Sequence, residues 1–260
     1  MARILQAVIA VLAAATLLIV LSPLLLVTQD AAARVLGDPR FQRSILLSLA
    51  TAAASATLAI ALATPVSYYL SRHTSRTARL VSSLHLLLLG LPPVGLGISM
   101  LIALTRYPLL GEASRSLGLV FTAKSIILAQ TVVVSPLAVS LLTGIFNYIP
   151  QRIEEQARAY GATRLYTFTR VILRVAAPGI AGAWILAFFR ALGEFGATLV
   201  LAGNTPGYTE TLPIAMYNMA ALADLEAASI LLTITVLLGM TLITIYTITQ
   251  TQLEKRLKEI

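Results

Sequence analysis

The chain has 260 residues, of which 58% are hydrophobic and 12% charged, with a formal net charge of +8. Its pI is near 10.1 and its mean hydropathy +0.86. With charged residues at about half the share of a typical globular domain, these values exclude disorder and an ordinary water-soluble enzyme. The absence of Cys excludes disulfides, thiolate nucleophiles and Cys-ligated zinc. His73 and His85 are too few for the usual zinc site, so no metal site is expected; they read as solvated and core-facing respectively.

A bilayer core takes about 20 apolar residues per helix. Six windows of that kind predict an all-α membrane protein with six transmembrane helices, at 4–27, 44–70, 80–104, 125–146, 175–201 and 227–248. The first follows Arg3 and precedes Ala31-Ala32-Ala33, a run resembling a signal-peptide cleavage site. Its apolar stretch exceeds the roughly 7–15 residues of a signal-peptide core, so a retained helix is expected. The third is interrupted by Pro92 and Pro93 and by Gly95 and Gly97; the fifth alone carries charge, at Arg190 and Glu194.

Lys and Arg fall unevenly between the loops. One set holds Arg3, Arg72, Arg76, Arg79, Arg152, Arg158, Arg164, Arg170, Arg174, Lys255, Arg256 and Lys258; the other holds Arg34, Arg40, Arg43, Arg106, Arg115 and Lys124. Cytoplasmic loops are the Lys/Arg-rich ones, so both termini are expected in the cytoplasm, with the chain multi-pass in the cell membrane. Acids balance the basic residues of the outer set, which leaves the whole net charge on the inner side facing anionic lipid. No nucleic-acid groove is needed to explain the pI.

No lysine follows a glycine-rich phosphate loop, and HExxH and GxSxG are absent, so no catalytic residues are expected. An ATP-independent transporter or channel would need its own coupling-ion site, and beyond Glu194 the spans offer no acid to build one.

The loop at 147–174 predicts a helix of about three turns, with Pro150 in its first turn, Glu154 and Glu155 complementing its positive end and Gly161 terminating it. Ile153, Ala157 and Tyr160 share one face, with Arg152 and Arg158 elsewhere around the axis. Such a helix suits a groove on another protein or, equally, a seat on lipid headgroups.

Glu155-Gln156-Ala157, three residues, Gly161, and then Val171-Ile172-Leu173 resemble the EAA signature of permease subunits in binding-protein-dependent ABC importers. Gln156 and Arg174 depart from that pattern, which has Ala and Pro there, so the local turn at Arg174 is expected to differ. Pro178-Gly179-Ile180 resembles the family's entry into the fifth span. Leu91-Pro92-Pro93-Val94-Gly95-Leu96-Gly97 resembles its broken third core helix. Arg190 to Thr198, with Thr211 to Tyr217, is similar to the oxyanion permeases, first the molybdate/tungstate subfamily and next the sulfate/thiosulfate one.

The resemblance implies one permease domain over 1–260, with core spans at about 44–248 and a cytoplasmic coupling helix between spans four and five. It implies a homodimer around a central pathway, two ATPase subunits that bind ATP and Mg, and an extracytoplasmic oxyanion-binding protein. Glu154, Glu155, Ala157, Arg158, Tyr160 and Gly161 are then the ATPase-coupling candidates.

Within the membrane, Arg190 and Glu194 are four apart and are expected to pair on one helix face. A charge near the bilayer centre costs about 2.5–3.5 kcal/mol on insertion scales, so both should face the bundle. They read either as a gate on a dianion's route or as an internal ion pair, and a neutralised pair is a poor anion site. Pro92, Pro93 and Gly95 read as a pathway-lining kink or a packing kink. Gly193 joins the pathway candidates, although Gly193 and Gly196 equally form a small-residue surface for packing at the subunit interface. The outer loop at 202–228 carries Glu210, Asp224 and Glu226 and an apolar stretch at 212–222 too short to span; it reads as a re-entrant or interfacial segment meeting the binding protein, or as a connector. The tail at 250–260 reads as a charged helical end.

Overall fold

The computed structural model describes residues 1–258, without the side chains of Ala2, Gln250 and 252–258, so the expected charged side chains of the tail lie outside the described residues. The described residues are all-helical, in agreement with the expectation. In chain order the helices are α1 (Ala2–Leu21), a 3-10 segment (Ser22–Leu26), α2 (Gln29–Gly37), α3 (Pro39–Arg72), α4 (Arg76–Gly90), α5 (Pro93–Arg106) and α6 (Pro108–Leu117). They continue with α7 (Ala123–Tyr148), α8 (Gln151–Ala159), the single turn α9 (Arg164–Tyr166), a π-helical turn (Thr167–Ile172), α10 (Leu173–Leu192), α11 (Gly196–Ala202), α12 (Leu212–Ala221) and α13 (Leu225–Lys258).

Local chemistry sets these boundaries. Asp38 accepts from the Arg40 N–H at the head of α3, with Pro39 in its first turn. Ser75 accepts from the Ala78 N–H to start α4, and Thr122 and Ser125 form a capping box on α7. Each satisfies donors that the first helical turn leaves without partners.

Five stretches are long and apolar enough to cross a membrane singly: Arg3–Leu26, Pro39–Arg72, Ala123–Tyr148, Arg164–Leu192 and Leu225–Thr249. The third span is broken, as the resemblance implied, and the break is wider than a kink, since α4 and α5 meet at 112°. The cause is local. Leu91 precedes Pro92 and Pro92 precedes Pro93; a residue before proline is driven out of the helical region, and both adopt extended backbone (ψ 140° and 134°). The fifth span also differs from its expected bounds: it begins early, passes through the π-helical turn and stops at Leu192, and α11 forms a separate short helix.

α3, α7 and α10 form the core. α3 presents Ser48, Ala52, Ser55, Ala56, Ala59 and Ala63 at three- and four-residue spacing, all buried, so α7 and α10 approach it closely. Phe146, Leu142, Ile172 and Phe188 fill the remaining space. Hydroxyls stitch α3 to α7: Ser55 Oγ donates to the Ile127 carbonyl at 3.1 Å and Ser67 Oγ to the Val139 carbonyl at 3.0 Å. Trp184 of α10 donates its indole N–H to Thr57 of α3 at 3.0 Å and stacks on Phe188. The first stretch, by contrast, has none of its apolar window buried within the chain.

At the Arg40 end of α3 the loop acid Glu210 is fully buried, not presented for contact. Its carboxylate accepts from Arg40 at both oxygens, from Asn218 Nδ2 at 2.7 Å and from Ser44 Oγ at 3.5 Å. Ser48 Oγ accepts the Leu212 N–H at 2.6 Å, so α12 is bound to α3 by its first residues. The 212–222 stretch is thus a packed short helix, too short to span, as expected. Glu210→Ala leaves the partly exposed Arg40 without its carboxylate and Asn218 Nδ2 with Asn204 as its remaining acceptor; we expect a loss of about 1–3 kcal/mol, read as a lower thermal unfolding midpoint of the detergent-solubilised chain.

Candidate functional site

Two regions hold the candidate residues. The first is α8 with its exit turn. Gly161 has φ +86°, in the left-handed region where a side chain costs about 1–2 kcal/mol. The Ala162 N–H bonds back to the Ala157 carbonyl at 3.1 Å and the Gly161 N–H to the Arg158 carbonyl at 2.9 Å, a Schellman-type stop that glycine permits. Pro150 occupies the N-cap position with extended backbone, just ahead of the expected first turn, and α8 runs for nine residues, about two and a half turns.

The expected shared face of α8 divides. Ile153 packs on the core and Ala157 is half-buried, so both turn toward the bundle, while Tyr160 is 93% exposed. Ala157, Tyr160, Gly161, Thr163, Tyr166 and Val171 surround a shallow cavity of about 510 Å³ beside the exit turn. Glu155, Gln156 and Arg158 are exposed.

Glu154 has a different setting from Glu155. It is buried, with Oε1 accepting from Arg72 Nε at 2.7 Å and Oε2 from the Tyr68 hydroxyl at 2.7 Å. The same guanidinium donates to the carbonyls of Phe146 at 2.9 Å and Ile149 at 3.1 Å, at the end of α7, where the Phe146 carbonyl also accepts the Ile149 N–H. α8 is therefore fastened to the ends of both α3 and α7. Sequence reasoning missed Arg72 and Tyr68, since a charge beside a span end reads as one more basic loop residue.

The second region is where the two helix breaks meet. A Cβ on Gly196 would stand 2.8 Å from Val94 Cγ2, and one on Gly97 would stand 2.8 Å from the Ala197 Cα. Gly196 thus serves a crossing of α11 on α5 within the chain, and not the expected packing at a subunit interface. Gly97, which the sequence marks with Gly95 as permitting close approach of backbone or solute, makes such an approach to the Ala197 backbone. Gly193 has only the Phe189 carbonyl nearby, 3.7 Å from where its Cβ would be, and Gly95 approaches only Pro92 of its own helix.

Arg190 and Glu194 pair as expected, Nη1 to Oε2 at 2.9 Å. The helix has ended between them, however, and Glu194 Oε1 also accepts the Ala197 N–H at 2.8 Å, so the carboxylate caps the start of α11. The Glu194 side chain is 2% exposed and that of Arg190 39%. Arg190 lines a crevice of about 240 Å³ with Pro93, Leu88, Leu89, Leu91, Leu96, Val133 and Leu137. Arg190 and Pro93 are brought together there; Pro92 and Gly95 lie on the break without lining that crevice. Substituting the two neighbouring acids of α8 separates anchoring from surface roles: Glu154→Ala strands a buried guanidinium and should cost about 3–5 kcal/mol, visible as a lower thermal midpoint, whereas Glu155→Ala should leave the midpoint unchanged.

Comparison with known proteins agrees with this geometry. The chain is 38% identical over 196 residues to the molybdenum transport system permease protein ModB of Mycobacterium tuberculosis, covering 75% of this chain and 74% of that one. It is 33% identical over 188 residues to the ModB protein of Escherichia coli, covering 71% and 82%. Its fold resembles that of a bacterial ABC transporter involved in import of the acidic polysaccharide alginate (TM-score 0.62, 20% identity, 96% of each chain). It also resembles a methionine ABC transporter in an inward-facing conformation (TM-score 0.62, 19% identity, 84% of this chain and 96% of that one). Residues 55–259 match the family described as binding-protein-dependent transport system inner membrane components, and the chain belongs to that family of multi-pass ABC transporter permeases.

Proposed function

We propose that this chain is the permease subunit of an ATP-driven importer for a tetrahedral oxyanion, molybdate or tungstate. The observation that carries the reading is identity of 33–38% over most of the chain to permeases named for molybdenum transport. Two copies enclose the pathway. Two separate ATPase subunits, which bind ATP and Mg, sit beneath the Arg72 end of α3, and an oxyanion-binding protein docks at the Arg40 end. The excess of Lys and Arg in the Arg72-side loops supports a cytoplasmic location for that side and for both termini.

α8 is the element that receives ATPase motion. Glu155, Arg158 and Tyr160 offer exposed side chains to the ATPase, and Ala157 and Gly161 border the adjoining cavity. Glu154 faces the opposite way and makes the joint stiff: through Arg72 it ties α8 to α3 and α7, so a displacement of α8 moves those spans with it. Pro92, Pro93, Gly95, Arg190, Gly193 and Glu194 form the gate region. Arg190 attracts the dianion, and Glu194 keeps it from being held too tightly. The half-exposed guanidinium on the crevice favours this over a purely internal pair.

Reconstitution with the ATPase and binding protein in proteoliposomes tests the reading. ATP-dependent uptake of molybdate or tungstate that excess sulfate does not compete is expected; uptake of sulfate, or of none of the three, overturns the substrate. Gly161→Asp should leave ATP hydrolysis measurable while uptake falls, because the exit turn that presents Tyr160 is strained; normal uptake in that variant would sink the coupling role.

A further inference from the structure

The cavity beside the exit turn of α8 has walls from two elements. Ala157, Tyr160 and Ala162 come from α8 and its exit, and Tyr166 and Val171 from α9 and the π-helical turn, which runs without a break into α10. No charged side chain lines it. Thr163, its one aliphatic hydroxyl, already accepts the Tyr166 N–H at 3.2 Å as the cap of α9. Gly161 adds no bulk, and a Cβ built there meets nothing within 4 Å. The space of about 510 Å³ is therefore an open, largely apolar recess. Tyr160 stands on its rim at 93% exposure and Tyr166 at 56%, and Leu165, the neighbour of Tyr166, is 72% exposed.

Lipid does not account for that exposure. Arg170 and Arg174 lie between the recess and the apolar part of α10, and their charge keeps them at the edge of the hydrocarbon. Tyr166 precedes Arg174 by eight residues, about 12 Å at the helical rise, so the recess lies on the aqueous side of that edge. α8 is likewise fastened to Arg72, the last residue of a helix much longer than the hydrocarbon is thick. Apolar surface held in water marks a protein contact. The surroundings set the partner's charge. Arg152, Arg158, Arg164 and Arg170 are all exposed there, against Glu155 alone, because Glu154 is buried against Arg72. Among the described residues Arg164 and Arg170 take part in none of the ion pairs. Such a rim draws an acidic segment and repels a basic one.

We propose that the recess receives an apolar side chain from an acidic segment of the ATPase subunit. The inference rests on the coupling reading above and deepens it, since here a side chain of the ATPase enters the permease and bears on Val171. Through the joint at Arg72, α8 moves α3 and α7. The inserted side chain gives the ATPase a second hold, on the segment that continues into α10 and so to Arg190.

The chain has no Cys, so Tyr166→Cys at the recess and Glu155→Cys on the exposed side of α8 can each carry a short diazirine photocrosslinker in the permease–ATPase complex. Two further variants are assayed for affinity toward the purified ATPase: Ala162→Trp, which fills the recess, and Arg164→Glu, which reverses a charge beside it. The proposal expects Tyr166→Cys to crosslink to an apolar ATPase residue close in sequence to an Asp or Glu. It also expects both affinity variants to bind the ATPase about tenfold or more weakly at an unchanged thermal midpoint. Should Ala162→Trp lower the midpoint, the crosslink and Arg164→Glu decide. A crosslink from Tyr166→Cys to lipid, to an ATPase residue of other chemistry or to nothing, while Glu155→Cys reaches the ATPase, sinks the recess alone. Wild-type affinity in either folded variant overturns it as well. Failure of both cysteines to reach the ATPase sinks the coupling reading itself.

Discussion

Two buried carboxylates, one from beyond each end of α3, hold the architecture in register. Glu210 meets Arg40 and Glu154 meets Arg72. α3 has 34 residues, about 51 Å at the helical rise, against a hydrocarbon core of about 30 Å. Its ends therefore emerge where ion pairs are affordable. Buried ion pairs add little net stability over a well-packed apolar contact, so their use is positional. Each fixes a surface helix, α12 at one end and α8 at the other, against the same long strut.

Between those ends the chain solves a different problem. Backbone groups inside a bilayer must be satisfied by the protein, and the chain interrupts its helices after Gly90 and again after Leu192. It brings the breaks together. The α4–α5 break crosses the α10–α11 break over Gly97 and Gly196, where only hydrogens separate the backbones, and the Glu194 side chain supplies the acceptor that the head of α11 lacks. The pairing with Arg190 and the capping of α11 are thus two duties of a single carboxylate, each oxygen taking one.

Much of this was legible in advance. Apolar windows located the spans because the bilayer demands length and hydrophobicity, and the prolines after Leu91 marked the third as interrupted. The break's size was not legible, since it follows from two successive residues each preceding a proline, which a single kink does not convey. Four-residue spacing paired Arg190 with Glu194 correctly for a reason that only partly applies, because the helix stops between them. Glu154 and Glu155 look alike in sequence, and their opposite settings depend on Arg72, which lies more than eighty residues away. Glu210 was read as a loop acid for the same reason: long-range partners leave no local pattern.

The chain contains one tryptophan. Its indole bridges α10 and α3 through Thr57 and lies stacked on Phe188, at the seam between the span that carries Arg190 and the strut to which α8 is fastened. Any sliding of those two helices must break or lengthen that hydrogen bond and change the polarity around the ring. The protein therefore carries its own optical probe: tryptophan emission from an unlabelled transporter, with a tryptophan-free partner set, would follow the movement of α10 against the strut in real time.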